Sequence, residues 1–154
     1  MKVKKVRTMA ALIVSLAAIV VFNSATSAQQ TDRTSRSVWD GVYTEEQAKR
    51  GEVIYGRECA SCHGNELTGA DEAPALAGPA FLANWDGLTV GDLSERVRVS
   101  MPPNKPGRLS RQQIADILCH VLSVNNFPAG KTELEPKTEL LKQIRIEATK
   151  PKAN

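Results

Sequence analysis

Hydrophobic positions along this chain recur at helical spacing and nowhere in strict alternation. After Ser110, the residues Ile114, Ile117, Leu118, Val121 and Leu122 follow the i, i+3, i+4, i+7, i+8 pattern of a helix with one buried face. Ser110 and Gln113 form a capping box that opens this helix, and Asn125-Asn126-Phe127-Pro128 ends it near Val124. Thr44 and Gln47 have the same spacing and predict a helix over 45–58, its last turn weakened by Gly56. Residues 64–80 are rich in Gly, Ala and Pro and read as a loop. A short helix follows from Pro79 to Trp85, with proline suited to the first turn. Thr89 caps a further helix over 90–99. Met101-Pro102-Pro103 stops it, because proline donates no backbone bond and pushes its predecessor out of the helical region. A last short helix is expected within 135–147, with Leu140, Leu141 and Ile144 turned inward, before a frayed tail at 150–154. No internal repeat and no strand pattern is present. The expected fold class is all-α.

The two ends of the chain read differently from its middle. Lys2, Lys4, Lys5 and Arg7 precede an apolar run from Met9 to Phe22, then Asn23-Ser24-Ala25-Thr26-Ser27-Ala28. Basic, apolar, then small and polar is the order of a secretory signal peptide, expected here over 1–28 with cleavage after Ala28. An uncleaved anchor is the other reading, but a spanning helix needs roughly 20 apolar residues. The polar stretch that follows is expected to be a linker over 29–40. The main domain is then expected over 41–130, with a C-terminal extension and tail over 131–154.

Removal of the signal changes the charge balance. It contains four of the 20 basic side chains and none of the 17 acidic ones, which leaves 16 against 17 and a net charge of −1. The basicity belongs to the targeting segment, so nothing points to nucleic acid. No stable membrane insertion is expected after cleavage. The three cysteines, Cys59, Cys62 and Cys119, are an odd number that fits a disulfide framework poorly.

Cys59-Ala60-Ser61-Cys62-His63 is C-x-x-C-H, the attachment signature of c-type haem. Two thiols three positions apart each form a thioether to one porphyrin vinyl group, and the adjacent imidazole reaches the iron. A thioredoxin-like dithiol would need a strand before the motif, whereas a helix is predicted there. A zinc site would need four ligands, and the remaining candidates, Cys119 and His120, point about 100° apart on one helix. One haem c is therefore expected, held through Cys59 and Cys62.

The sixth position of the iron is approached by elimination. Outside the signal the chain has one methionine, Met101, and besides His63 one histidine, His120. Met101 sits before two prolines in a stiff, extended loop that can present its thioether, whereas His120 lies in mid-helix. A His63/Met101 pair is expected, with bis-His ligation or an open site as the alternatives; a His/Met pair raises the haem potential.

These residues resemble the class I cytochrome c family over roughly 41–130. Gly51 and Tyr55, eight and four residues before Cys59, look like the family's glycine and aromatic where the first and last helices cross. Asp116 to Leu122 looks like the crossing segment of the last helix, with His120 where the family usually has an aromatic. The resemblance implies a cytochrome c fold of three to five helices around one covalent haem, with His120 packed on Tyr55. It also implies that the Pro74 carbonyl accepts a hydrogen bond from the ligand imidazole and that Leu76 lines the haem pocket. Trp85 either donates to a haem propionate, as in proteins of this kind, or simply packs in the core. Cys119 reads as a small buried hydrophobe, and Lys105, Arg108 and Arg111 as surface charge.

The stretch around Phe81, Trp85, Thr89-Val90 and Met101-Pro102-Pro103 is similar to small bacterial cytochromes associated with quinoprotein (PQQ-dependent) dehydrogenases. The function implied is that of a periplasmic single-electron carrier and not an enzyme. Its expected redox partners are a quinoprotein dehydrogenase as donor and a terminal oxidase or another cytochrome as acceptor. The alternative is a haem enzyme or sensor (peroxidase or small-gas binding), which would need an open or labile sixth position.

Overall fold

The computed structural model describes residues 36–71 and 73–152. The expected signal peptide, and the linker as far as residue 35, lie outside the described residues. Among the described residues, four helices of eight or more residues carry the fold: α1 (Glu45–Glu58), α3 (Gly78–Trp85), α4 (Val90–Ser100) and α5 (Arg111–Val124). Two single turns, α2 (Ala60–His63) and α6 (Thr138–Leu141), and a 3-10 turn at Val38–Asp40 complete the helical set of the described residues. The domain is all-α except for a minimal parallel pair, β1 (Arg36–Ser37) and β2 (Ile144–Arg145), in which Arg36 is opposite Ile144. Among the described residues no helix is long and apolar enough to cross a membrane.

Helix starts follow the capping chemistry. The Ser110 hydroxyl accepts from Gln113 N–H while Gln113 Oε1 accepts from Ser110 N–H, and Thr89 and Asp92 form the same reciprocal pair. At α1 only half of the expected box forms. Thr44 Oγ1 accepts from Gln47 N–H at 3.2 Å, but the Gln47 side chain turns into the core instead. There its amide donates to Asp116 Oδ1 and the Leu134 carbonyl and accepts from Leu134 N–H at 2.7 Å. Three core partners outweigh one backbone N–H at the helix start, since a buried amide left unpaired costs more than a frayed cap.

The crossing of α1 and α5 is the centre of the fold. Gly51 is buried there, and a Cβ at that position would collide with the Asp116 carbonyl. Glycine lets the two backbones meet, as the sequence resemblance implied. Around this crossing Tyr55, Ile114, Leu118 and Leu122 are sealed, together with Phe81 and Val90 from α3 and α4.

The chain ends depart from expectation. Residues 36–40 are not linker: Val38 is fully buried, and Trp39 Nε1 donates to the Glu147 carbonyl at 2.9 Å. The expected helix over 135–147 shrinks to Thr138–Leu141. Leu141 and Ile144 are buried as expected, whereas Leu140 is exposed. The reason is the period-two run Ile144-Arg145-Ile146, whose two isoleucines are buried on either side of an exposed arginine. Leu134, Leu141, Ile144 and Ile146 join the same core as α5, so the segment after residue 130 is part of the domain.

Candidate haem site

The cysteine motif sits where α1 runs out. Cys59 leaves helical geometry at φ −128° and ψ −37°, with its N–H still bonded to the Tyr55 carbonyl at 2.9 Å. The turn α2 then closes through His63 N–H to the Cys59 carbonyl at 2.9 Å, and Gly64, at φ 76°, takes the chain away. Tyr55 anchors this exit, since its hydroxyl donates to the Gly64 carbonyl at 2.7 Å; burial raises its pKa to about 12. Cys62 is exposed, whereas Cys59 is half-buried. Burial first, and then neighbouring Cys62, push the free Cys59 thiol up to about 11.

His63 is buried, and its Nδ1 lies 2.8 Å from the Pro74 carbonyl oxygen. A carbonyl only accepts, so Nδ1 carries the hydrogen and Nε2 keeps its lone pair for a metal. The loop that supplies Pro74 is itself fastened. Leu67, buried at φ 58°, accepts from Leu76 and Ala77 N–H through its carbonyl. Asn125, just past α5, donates to the Leu76 carbonyl and accepts from Gly78 N–H. The sequence marked Asn125 only as a helix stop; its amide is a brace for the pocket wall.

All seven residues expected at the site, Cys59, Cys62, His63, Pro74, Leu76, Trp85 and Met101, line one cleft of about 840 Å³. Apolar side chains form much of the rest of its lining: Phe81 from α3, Leu93 and Val97 from α4, and Ile117, Leu118 and Val121 from α5. Trp85 packs tilted against Phe81 with ring centroids 6.3 Å apart. Met101 caps the C-terminus of α4 in extended geometry, φ −122° and ψ 146°, with its N–H on the Val97 carbonyl. His120 does not line this cleft. Its ring lies 5.2 Å from that of Tyr55, beside the α1–α5 crossing.

Sequence reasoning missed the floor of the cleft and its charged edge. Leu93 and Val97 stand four apart on α4, and that spacing was a visible signal. Arg57, Glu58 and Arg96 also line the cleft, and nothing in their local sequence marks them. Of the basic residues read as surface, Arg111 donates to Thr138 Oγ1 and Arg108 faces Glu58. Cys119 is fully buried, and burial pushes its thiol far up, in keeping with a packing role.

Two thiols, an imidazole with a free Nε2 and a large apolar cleft are the donor set and the surroundings that a covalent haem requires, and these residues fit it. The family model described as cytochrome c oxidase, cbb3-type, subunit III, matches residues 46–121, a span that includes the cysteine motif and Met101. The domain is a class I c-type cytochrome. It carries covalently bound haem c and belongs among electron-transfer haem proteins. A solved structure, the sulfane dehydrogenase SoxCD from Paracoccus pantotrophus, is similar at 23% identity with a TM-score of 0.45, covering 70% of this chain and 61% of that one. This cytochrome thus spans less than two thirds of the SoxCD chain it matches. A search of curated proteins finds no match.

Proposed function

We propose that this cytochrome is a periplasmic single-electron carrier whose iron is held by His63 and Met101. Haem c supplies reversible one-electron exchange at its iron. The observation that carries the reading is that Met101 lines the same cleft as His63 and the two cysteines, while His120 is engaged elsewhere. The Pro74 carbonyl fixes the His63 ring and its tautomer, leaving Nε2 free as a ligand. Leu76, Phe81, Leu93 and Ile117 give the cleft an apolar lining that would keep water from a bound haem. Low polarity together with a thioether ligand favours the reduced state and raises the potential.

Were His63 and Met101 both to hold the iron, they would leave no site on it for small molecules, which favours a carrier over a peroxidase or gas sensor. The proposed donor is a quinoprotein dehydrogenase, on the likeness around Phe81, Trp85 and Met101-Pro102-Pro103. The proposed acceptor is a terminal oxidase or another cytochrome, in keeping with the oxidase named in the description of the matched family. A carrier must release its partner, so the interface belongs near the low end of the roughly 1,200–2,000 Å² of specific complexes. The test is stopped-flow mixing of the oxidised cytochrome with a quinoprotein dehydrogenase and its substrate. Fast haem reduction is expected. No reduction, combined with peroxide turnover, would favour the enzyme reading.

A further inference from the structure

Glu58 is the last residue of α1, directly before Cys59, and it lines the haem cleft. Its side chain is only 13% exposed, and its Oε2 is sealed from solvent without a hydrogen bond. A carboxylate oxygen placed this way needs a positive group beside it, and the group facing it is the Arg108 guanidinium. Arg108 lies in the segment between Met101 and α5.

That segment is otherwise weakly attached. Met101 N–H bonds back to Val97 in its own helix, and Lys105 N–H bonds to the Pro102 carbonyl within the segment. Among the described residues, Glu58–Arg108 is the one ion pair or hydrogen bond that ties 102–109 to another element. Leu109 adds a buried apolar anchor, but at the α5 end. Pro102, Pro103 and Asn104, which line the cleft beside Met101, have no polar tie of their own across it.

We propose that Glu58 and Arg108 form a latch that holds segment 102–109, and Met101 with it, closed against the cysteine helix. Glu58 is then a positioning residue, acting on Met101 through Arg108. The latch joins the two halves of the site, since one partner is next to the thioether cysteine and the other follows the thioether ligand in sequence. It sets how often Met101 leaves the iron, and hence how closed the carrier is to small ligands. The proposal rests on Met101 as the sixth ligand.

The test measures the rate of imidazole binding to the oxidised, haem-loaded protein, together with the weak far-red sulfur-to-iron band and the melting temperature. Arg108→Ala is expected to speed imidazole binding about tenfold, within the range seen for coupled pairs, and to weaken the band. Arg108→Lys, which keeps the charge, should recover most of the difference. Arg98→Ala, which breaks the exposed Arg98–Glu95 pair on α4, should change neither reading. If Arg108→Ala lowers the melting temperature but binds imidazole at the wild-type rate, the pair is a structural tie and the latch is overturned. If the wild-type protein lacks the band and Met101→Ala leaves the rate unchanged, the ligand assignment itself fails, and the latch fails with it.

Discussion

A histidine that gives its Nδ1 hydrogen to a carbonyl 2.8 Å away presents one nitrogen and one orientation to a metal. His63 is held in that way, and it was readable in the sequence because the C-x-x-C-H motif itself names the histidine. The Pro74 carbonyl was foreseen only through resemblance, because a backbone oxygen 11 positions away leaves no trace in periodicity. Met101 was readable by elimination, as the one thioether outside the expected signal. Met101→Ala is expected to abolish the far-red band and lower the potential, whereas His120→Ala should leave both unchanged. A spectral change on altering His120 would reverse the assignment.

His120 has its own signature in stability. Burial lowers its pKa from the usual value near 6.5, and Glu52 opposes the shift only in part. A base whose folded pKa is depressed binds fewer protons folded than unfolded, so stability falls as the pH drops below about 6.5. The loss levels off once the folded imidazole also protonates. His120→Tyr, which keeps an aromatic ring against Tyr55, should flatten the part of the stability profile between about pH 6.5 and the range where carboxylates titrate. Denaturant titrations of the two proteins across that range would check this. Equal slopes would contradict the account.

At the scale of elements, the helices were legible because capping residues and apolar stripes are local signals. Ser110, Thr89 and Thr44 all cap the helices they were expected to open. What escaped was decided by distant partners. Gln47 abandons its cap because Leu134 and Asp116 offer better bonds. The Glu58–Arg108 pair joins elements 50 residues apart in the chain. The Gly51 contact with Asp116 was foreseen by resemblance, and its cost can be measured. Gly51→Ala places a methyl against backbone that cannot rotate away, so the expected loss is at least the roughly 1–3 kcal/mol of overpacking. Gly56→Ala is the contrast, because nothing lies within 4 Å of a Cβ there. It should stabilise α1 by about 0.5–1 kcal/mol. Urea titrations of both variants would give the two signs, and equal effects would contradict the crossing geometry.

For the whole molecule, the sequence placed the domain edges too far in. Polar composition near residue 36 and the charged run after residue 130 look like surface, but their few apolar residues are spaced to close the core from outside. Val38, Leu134, Leu141, Ile144 and Ile146 are each at most 3% exposed. A chain ending at residue 130 loses four of these five, each worth about 1.5–3 kcal/mol of burial, against a typical domain stability of about 5–15 kcal/mol. Such a truncation is expected to unfold or to lose cooperative melting, as circular dichroism would show; a cooperative transition like that of the full chain would make the extension an accessory. The central claim is that His63 and Met101 close the iron inside this domain so that it carries electrons and binds nothing else. Adding carbon monoxide to the reduced, haem-loaded protein tests it most directly. The account predicts an absorption spectrum that stays unchanged on mixing, and a rapid shift to a carbon monoxide adduct would contradict it.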